Sequence, residues 1–435
     1  MPPTRTGATT VVVLTAVTAL AAVLATPTTL RTPAAIAADK AQPDVRLSDR
    51  LSDRIAQLDP IISLSVVGRL DGRWLGLDVR GDRVYGVDAE QRLLVVSVAD
   101  PSAPAVVGQV DLPTQAEDVA VTGGTAVLAM GSSGLCVSAL GDGTRPAAPV
   151  CVGSDGYAQD VAAAGAFAYA ASGSIGLQVA NVAGPARPTW VNRITYPNDD
   201  ASGVTIAGNV LFEANGANGM YAYDLTRPEA PSAFGSLPLS QPARHMSAAG
   251  DLAVVGLGVF APTESGGVTV LDVTNPRAPA IKGTVTGLRF VRRTALSGRD
   301  YALAVDGPGG LHVIDVRRPD APRTVAAYFA PDARDVAASG GSAAGGLVFI
   351  ADRQTGLTIL RLTAATPTPT ATFTRTPTPT STSTPTPTRT PTATPTPVRY
   401  GLWLPRVLRN EDAAPTSTPQ PTVEPTPSAW RVIVR

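Results

Sequence analysis

The sequence predicts an all-β fold, a seven-bladed β-propeller, and three observations lead to this prediction. One unit recurs seven times between residues 61 and 362, in steps of 42 to 48 residues. Each unit consists of short apolar runs of strand length separated by glycine-rich turns. Helical patterns of ten or more residues do not separate these runs, which excludes a parallel α/β fold. A period of this length with strand-like content is typical of propeller blades.

The repeat unit is clearest where a glycine opens an apolar strand that runs into a Pro-x-x-Pro turn. Three copies show this pattern in full, at residues 219–231, 267–279 and 310–322. Weaker copies begin at Leu93, Leu135, Leu177 and Leu357. An aspartate recurs four residues before the first proline of the clear copies, at Asp224, Asp272 and Asp315. We expect these carboxylates to accept hydrogen bonds from the amides of the turn.

The strands of each unit follow one order. A polar pair precedes the first apolar strand, and a glycine turn leads to the second. After the third strand and its proline turn, a fourth strand completes the unit. Several second strands are nearly continuous apolar runs, at residues 167–171, 252–255, 301–305 and 347–351. Such runs predict sheets that are buried on both faces, as they are between neighbouring blades.

The two ends of the repeat region predict how the propeller closes. Residues 64–70 match the fourth-strand pattern of residues 105–110, although no third strand precedes them. The last unit stops after its third strand, at residues 357–362. We therefore expect the N-terminal strand to complete the last blade. This arrangement gives seven closed blades over residues 61–362 and no free sheet edge at the junction.

The composition limits the classes of partner. The 435 residues carry a formal net charge of zero and are 44% hydrophobic, so the chain can bury a large core. A nucleic-acid partner is not expected, because the chain has no excess of basic residues.

The N-terminal region has the pattern of an export signal over residues 1–38. Arg5 precedes an apolar stretch at residues 11–25, and small residues follow, with cleavage expected after Ala25 or near Ala37. The apolar stretch is short for a membrane span of about 20 residues. The sequence thus predicts a secreted or cell-surface protein that is not inserted in a membrane after cleavage. An uncleaved anchor is the alternative.

Segments outside the repeats have their own patterns. Residues 39–60 contain apolar side chains at helical spacing between residues 46 and 58, which predicts one short amphipathic helix. Residues 363–398 are almost wholly Thr, Pro, Ala and Ser, a composition typical of an extended, disordered linker. The tail at residues 399–435 holds a short apolar motif at residues 400–408. The sequence leaves open whether this tail is anchored, cleaved or glycosylated.

The chain has two cysteines, Cys136 and Cys151. They lie 15 residues apart on what we interpret as two successive antiparallel strands of one blade. In an exported protein such a pair predicts a disulfide bond. Two buried thiols are the alternative.

The units resemble the LVIVD repeat, which is found in exported or surface-associated bacterial β-propellers. The resemblance rests on residues 311–322 and the matching copies, and it covers residues 61–362. Blade two departs from the motif at Ala139 and Leu140, and blade seven has Arg361 where aspartate is usual. The resemblance implies a propeller fold and an extracytoplasmic setting. It implies no catalytic residue and no cofactor.

Propellers commonly bind ligands at the face where the innermost strands begin, and charged residues gather at these positions. Arginine side chains suit carboxylates, sulfates and phosphates. We therefore predict an anionic glycan or an acidic peptide as the ligand at the channel mouth; the alternative is that these charges pair with one another across the blades. The predicted binding residues are Glu117, Asp118, Asp160, Arg244, His245, Arg292, Arg293, Arg334 and Asp335.

Metal or cofactor chemistry is not expected. The chain has two histidines, His245 and His312, and no His or Cys pairs at ligand spacing. The oxygen-rich loop at residues 198–200 is an alternative site for Ca²⁺. We predict a non-enzymatic binding or scaffolding module whose partner is an extracellular glycan or protein. The alternative is a polysaccharide hydrolase or lyase that uses Asp118 and Asp160 at the mouth. The sequence does not predict the oligomeric state.

Overall fold

The computed structural model describes residues 60–259, 265–339 and 346–365. The predicted signal peptide, the short helix at residues 46–58 and the tail lie outside the described residues, as does the linker beyond residue 365. Within the described ranges, no helix is both long enough and apolar enough to cross a membrane.

The described residues form seven four-stranded antiparallel sheets, one for each predicted blade. This confirms the seven-bladed β-propeller. Blade 1 contains β2 (Trp74–Arg80), β3 (Arg83–Asp88), β4 (Arg92–Ser97) and β5 (Ala105–Asp111). Blade 2 contains β6 (Asp118–Thr122), β7 (Thr125–Ala129), β8 (Leu135–Ala139) and β9 (Val150–Val152). Blade 3 contains β10 (Asp160–Ala164), β11 (Phe167–Ala171), β12 (Leu177–Asn181) and β13 (Thr189–Ile194).

The next three blades repeat this order. Blade 4 contains β14 (Ala201–Ala207), β15 (Val210–Asn215), β16 (Met220–Asp224) and β17 (Ser232–Leu237). Blade 5 contains β18 (Ala243–Ala249), β19 (Leu252–Val259), β20 (Ser265–Asp272) and β21 (Ala280–Leu288). Blade 6 contains β22 (Arg293–Ser297), β23 (Tyr301–Val305), β24 (Leu311–Asp315) and β25 (Arg323–Tyr328).

Blade 7 joins the two ends of the repeat region, as predicted. It contains β26 (Ala333–Ser339), β27 (Leu347–Asp352) and β28 (Gly356–Ala365), with β1 (Ile61–Leu70) as its outermost strand. The pairing of β1 with β28 runs from Ile61 opposite Ala365 to Leu70 opposite Leu357. Strand β28 extends three residues past Leu362 because β1 offers pairing partners up to Ile61.

The core consists of one apolar cluster between each pair of neighbouring blades. Blades 7 and 1, for example, share a cluster that contains Trp74, Val84, Phe349 and Ile359, all fully buried. Trp74 fits because its ring lies on Gly86, where a Cβ atom would come within 2.0 Å of the ring. The continuous apolar second strands are therefore buried on both faces because each blade is covered by two neighbours.

A glycine turn links each of four blades to the next one. In these turns, between the second and third strands, two glycines three positions apart both adopt positive φ values, such as Gly173 (58°) and Gly176 (84°). The first glycine forms a pair of main-chain hydrogen bonds with the start of the next blade, as between Gly173 and Ala201. Equivalent bridges join Gly131 to Ala158, Gly216 to Ala243 and Gly307 to Ala333. These bridges fix where each innermost strand begins.

The Pro-x-x-Pro turns have the structure that the sequence predicts. The carboxylates of Asp224, Asp272 and Asp315 each accept a hydrogen bond from the amide two residues further on, at 2.8 to 3.1 Å. The structural role predicted for these aspartates is thus confirmed. In blade 2, Cys136 on β8 lies directly opposite Cys151 on β9, and a disulfide bond joins them.

Candidate functional site

The first strands of the seven blades surround the central channel, and four of them begin with a β-bulge. A bulge residue has no direct partner in the strand ladder, so its side chain can be directed away from the sheet. The four bulge residues all lie at one end of the channel, which we call the mouth: Leu75, Ser202, Arg244 and Arg334.

A pocket of about 170 Å³ opens at the mouth. Three successive blades supply arginines to one side of it, with Arg244 from blade 5, Arg292 from the start of blade 6 and Arg334 from blade 7. The opposite side has hydrogen-bonding side chains from blades 2, 3 and 4, namely Glu117, Gln159 and Ser202. The pocket is therefore cationic on one side and rich in neutral or anionic hydrogen-bonding groups on the other.

Neighbouring groups hold the arginines in place. Arg244 donates to the carbonyl of Gly258 at 2.9 Å and pairs with Asp200 at 3.0 Å. Its guanidinium lies 5.3 Å from the ring centre of Phe290, and that of Arg292 lies 5.8 Å from the same ring. Arg334 pairs with Asp332 at 2.9 Å. These contacts orient the arginines, and a guanidinium has five donors, so one ion pair does not use its full capacity.

The other side of the pocket is organised by neutral donors. The hydroxyl of Tyr157 donates to Glu117 at 2.5 Å. Partial burial, with the hydrogen bond to Glu117, raises the pKa of Tyr157 to about 12, so this hydroxyl keeps its proton. Gln159 donates to the carbonyl of Ala201 at 3.2 Å. These contacts leave carboxylate, amide and hydroxyl groups facing the arginines across a small opening.

Directly beneath the pocket, four buried side chains and the largely buried His245 close the channel, and we call them the plug: Asp118, Asp160, His245, Arg293 and Asp335. Arg293 reaches across the channel to Asp160 at 2.7 Å. It lies 3.7 Å from Asp118 and 3.9 Å from Asp335. One guanidinium thus faces three carboxyl groups.

The plug also joins neighbouring blades. Asp118 accepts a hydrogen bond from the amide of Val161 in the next blade, and Asp160 accepts one from Val204. Asp335 closes the circle by accepting from the amide of Leu77 in blade 1 at 2.8 Å. His245 does the same through Nδ1, which accepts from the amide of Thr294 at 3.1 Å. The repeated polar position at the start of each unit is therefore a link between blades.

Burial and charge give the plug residues different pKa values. Burial raises the pKa of Asp118 well above its usual range, because the stabilising effect of Arg293 does not offset the loss of solvent. Burial also raises the pKa of Asp335, to about 6. For Asp160 burial acts in the same direction, but the charge of Arg293, with the hydrogen bond from the amide of Val204, outweighs it and lowers the pKa. Burial lowers the pKa of His245 to about 4, so its imidazole is neutral at pH 7.

A second cavity, of about 360 Å³, lies on the other side of the plug. Its walls are the innermost strands, with the side chains of Asp78, Thr205 and Ser247 among them. Asp78 accepts from the amide of Val121 and from Arg80. Arg293 lines both this cavity and the mouth pocket. The channel is thus divided into two compartments that share one guanidinium.

The comparisons with known proteins agree with this architecture. The family model of the LVIVD repeat matches residues 72–112, 155–195, 248–287 and 330–360, which fall in blades 1, 3, 5 and 7. The chain is a seven-bladed β-propeller that carries LVIVD repeats. Two of the copies that are clearest by eye, at residues 219–231 and 310–322, lie outside the matched segments. The curated proteins include no match to this propeller.

Solved structures resemble the LVIVD-repeat propeller in fold. The structure of U3-55K is similar over 69% of this chain and 98% of that chain, with a TM-score of 0.53 and 10% sequence identity. The crystal structure of the computationally designed Ika8 protein covers 68% of this chain and 98% of its own, with a TM-score of 0.47 and 9% identity. At 10% identity, the likeness to U3-55K shows the fold alone.

The nine predicted binding residues of the propeller separate into two groups. Four of them line the mouth pocket from above the plug: Glu117, Arg244, Arg292 and Arg334. The other five form the plug: Asp118, Asp160, His245, Arg293 and Asp335. Within the plug the charged residues pair with one another across the blades, as in the alternative interpretation of the sequence. Binding by the mouth residues stays a prediction.

Two alternative chemistries can be compared with the geometry. Glycosidases place the sugar between two carboxyl groups that are roughly 5 to 10 Å apart. Asp118 and Asp160 are instead buried in the plug, where both face the guanidinium of Arg293 at 3.7 and 2.7 Å. In the loop at residues 198–200, Asp199 accepts from Asn215 and from the amide of Tyr196. The described residues contain no group of three or more His, Cys, Asp or Glu side chains that could hold a metal ion.

Proposed function

We propose that this LVIVD-repeat propeller is a non-enzymatic binding module that acts outside the cytoplasm and holds an anionic glycan at the channel mouth. The observation that carries the proposal is the convergence of arginines from three successive blades on one pocket. Guanidinium groups form paired hydrogen bonds with carboxylates and sulfates. Three of them on one side of a small pocket favour a ligand group with a full negative charge.

The size and the second side of the pocket support a glycan as the ligand. A volume of about 170 Å³ is below the 300–1,000 Å³ that is common for drug-sized ligands, so the pocket suits one unit of a polymer. Glu117, Gln159 and Ser202 face the arginines with acceptors and donors. A sugar unit that carries a sulfate or carboxylate and several hydroxyls matches both sides. A glutamate peptide offers carboxylates to the arginines but has no hydroxyl groups for the other side.

The extracytoplasmic location rests on two features of the chain. Residues 1–38 have the pattern of an export signal. Disulfide bonds are typical of oxidising compartments outside the cytoplasm, and one joins Cys136 to Cys151. The alternative function, hydrolysis or elimination at the mouth, has less support because Asp118 and Asp160 are buried in the plug and both face Arg293.

The test compares retention of the full chain on immobilised ligands. These are galactose 6-sulfate, oligogalacturonate, a neutral galactose oligomer and a glutamate peptide. The variant changes Arg244, Arg292 and Arg334 together to Gln. The matched control changes three exposed arginines of the proline turns or the loop of blade 2 to Gln: Arg145, Arg187 and Arg227.

We expect the wild type and the control to be retained by the anionic sugars and the mouth variant to lose at least tenfold in affinity, about 1.4 kcal/mol. Preference for the glutamate peptide would make an acidic protein the ligand. Equal retention of all three proteins would refute binding at the mouth. Sugar products released from oligogalacturonate by the wild type would favour the enzymatic alternative instead.

A further inference from the structure

The floor of the mouth pocket is the upper surface of the plug. Arg293 belongs to both, because it lines the pocket and forms the closest ion pair of the plug, with Asp160 at 2.7 Å. An anion that enters the pocket therefore comes close to one buried cation and to the carboxyl groups around it. The charge of these carboxyl groups must affect how tightly the anion is held.

The plug has three carboxyl groups around one guanidinium, so their negative charges cannot all be compensated. Asp160 takes the nearest nitrogen of Arg293, and the guanidinium is 3.7 Å from Asp118 and 3.9 Å from Asp335. Burial and the nearby carboxyl groups of Asp160 and Asp335 raise the pKa of Asp118 well above its usual range, so Asp118 favours its protonated form. Asp335 keeps only two main-chain amides, those of Leu77 and Val336, besides the distant edge of Arg293. With Asp118 in its protonated form, Asp335 is the carboxylate that Arg293 compensates least, because its distance from the guanidinium is 3.9 Å, against 2.7 Å for Asp160.

We propose that an anion at the mouth and a proton on Asp335 bind cooperatively, so that the propeller holds its ligand more tightly in mild acid than at neutral pH. This inference rests on the proposed function. The physical reason is that protonation of Asp335 removes a buried negative charge beneath the anion. It also leaves more of the positive charge of Arg293 uncompensated, so Arg293 attracts the anion more strongly.

Asp335 changes its charge between mildly acidic and neutral pH. Burial raises its pKa to about 6, so Asp335 is mostly ionised near pH 7.5 and mostly protonated near pH 5. A bound anion disfavours the carboxylate and raises this pKa further. By linkage, the affinity for the anion must then rise as the pH falls through the pKa of Asp335.

Charged and titratable groups face Asp335 from each neighbouring element: Asp78 on β2, Asp118 on β6, Asp160 on β10, His245 on β18, Arg293 on β22 and Arg334 on β26. His245, with a pKa of about 4, stays neutral above pH 5. Asp160 stays ionised because its pKa is lowered, and the pKa of Asp118 is raised well above its usual range. Asp78 is paired with Arg80 in the lower cavity. Glu117 in the mouth needs a control of its own.

The experiment is a calorimetric titration of the full chain with galactose 6-sulfate between about pH 5 and about pH 7.5. The sulfate ester keeps its charge over this range, so any dependence on pH belongs to the protein. Wild type is compared with Asp335→Asn and Glu117→Gln. Asparagine can still accept the hydrogen bond from the amide of Leu77 while it removes the charge.

We expect the wild type to bind about tenfold more tightly near pH 5 than near pH 7.5, which corresponds to a ligand-induced rise of about one unit in the pKa of Asp335. Asp335→Asn should bind near pH 7.5 as tightly as the wild type does near pH 5. This is a gain of affinity that misfolding cannot produce. Glu117→Gln should retain the dependence on pH.

Two outcomes would overturn the inference alone. One is a wild-type affinity that does not change with pH, and the other is an unchanged dependence on pH in Asp335→Asn. If the dependence of affinity on pH disappears in Glu117→Gln, the titrating group is Glu117 and not Asp335. That result would also overturn the inference. If neither the wild type nor Asp335→Asn binds the sulfated sugar at any pH, the proposed function itself fails together with this inference.

Discussion

The Glu213 carboxyl group is fully buried between two neutral hydrogen-bond donors. It accepts from the hydroxyl of Tyr223 and from the amide of Asn215. Burial raises the pKa of Glu213 to about 8, and the nearby charge of Asp199 acts in the same direction. Because the folded protein holds this proton more tightly than the unfolded chain does, stability must fall as the pH rises from about 4.5 to about 8.

Replacement of Glu213 by glutamine tests this linkage. Glutamine can accept the hydrogen bond of Tyr223 without a charge, so we expect Glu213→Gln to be more stable than the wild type at pH 8 by up to about 5 kcal/mol. At pH 4 the two proteins should be nearly equal in stability. Unfolding in urea at both pH values measures the difference. Glu229→Gln, a change on a proline turn, is the control, and an equal effect of both variants would contradict the account.

The sequence does not reveal at this scale which charged residues meet. Glu213 lies in a strand whose apolar neighbours predict burial, but the position of Tyr223 beside it depends on the register between β15 and β16. Arg292 and Arg293 are adjacent in sequence, yet one reaches the mouth and the other closes the plug. Alternation along a strand separates such neighbours, and the point where the strand begins decides which of them faces the channel.

At the scale of elements, a glycine in the fourth strand of some blades allows the proline turn of the next blade to pack against that strand. A Cβ atom on Gly235 would lie 2.1 Å from the carbonyl oxygen of Pro276 in blade 5. The equivalent position in β1 is Gly68, where the Cβ atom would lie 2.1 Å from the carbonyl oxygen of Pro101. The fourth-strand glycine of one blade therefore packs directly against the proline turn of the next blade.

Substitution at this contact should be costly. We expect Gly235→Ala to lower the free energy of unfolding by about 1–3 kcal/mol, because a backbone carbonyl cannot move aside as a flexible side chain can. Gly184→Ala is the control, since nothing lies within 4 Å of the added atom. Thermal unfolding of the two variants measures the difference. Similar melting temperatures would contradict the contact.

The order of the elements could be predicted from the sequence, whereas the details of the mouth could not. Apolar runs and turn residues recur at a fixed period and thus predict seven blades. The β-bulges that expose Ser202, Arg244 and Arg334 at the mouth leave no distinct pattern in the residue types. Phe290 was missed as a pocket residue because its place depends on the loop that precedes β22.

At the scale of the whole molecule, one strand pair joins the ends of the propeller. Strand β1 covers the outer edge of β28, with Ile62 and Leu64 buried against blade 6 and blade 7. Ile61 and Ala365 lie opposite each other at the end of this pair. Both chain ends thus leave the described region together. They do so at the face opposite the mouth, because β1 leads from there to the start of β2.

Removal of β1 should open the propeller. We expect a chain that begins at Trp74 to lose cooperative thermal unfolding, because β28 becomes an unpaired edge and apolar surface is exposed. A chain that begins at Pro60 is the matched control. A peptide of residues 60–72 added in trans should restore the transition by pairing with β28.

The specificity of this rescue depends on the alternation of side chains along the strand. A peptide in which Ile62 and Leu64 exchange places with Ser63 and Ser65 should fail, because its apolar side chains face solvent. If the truncated chain unfolds at the same temperature as the control, closure by β1 contributes nothing to stability and the account of blade 7 is wrong.

A crystal structure of the full chain with galactose 6-sulfate, grown near pH 5, would show directly whether the arginines at the mouth bind an anion. We expect the sulfate oxygens within hydrogen-bond distance of at least two of Arg244, Arg292 and Arg334, and the sugar hydroxyls near Glu117 or Gln159. An empty mouth with the ligand bound elsewhere on the propeller would contradict the claim that three blades form an anion site.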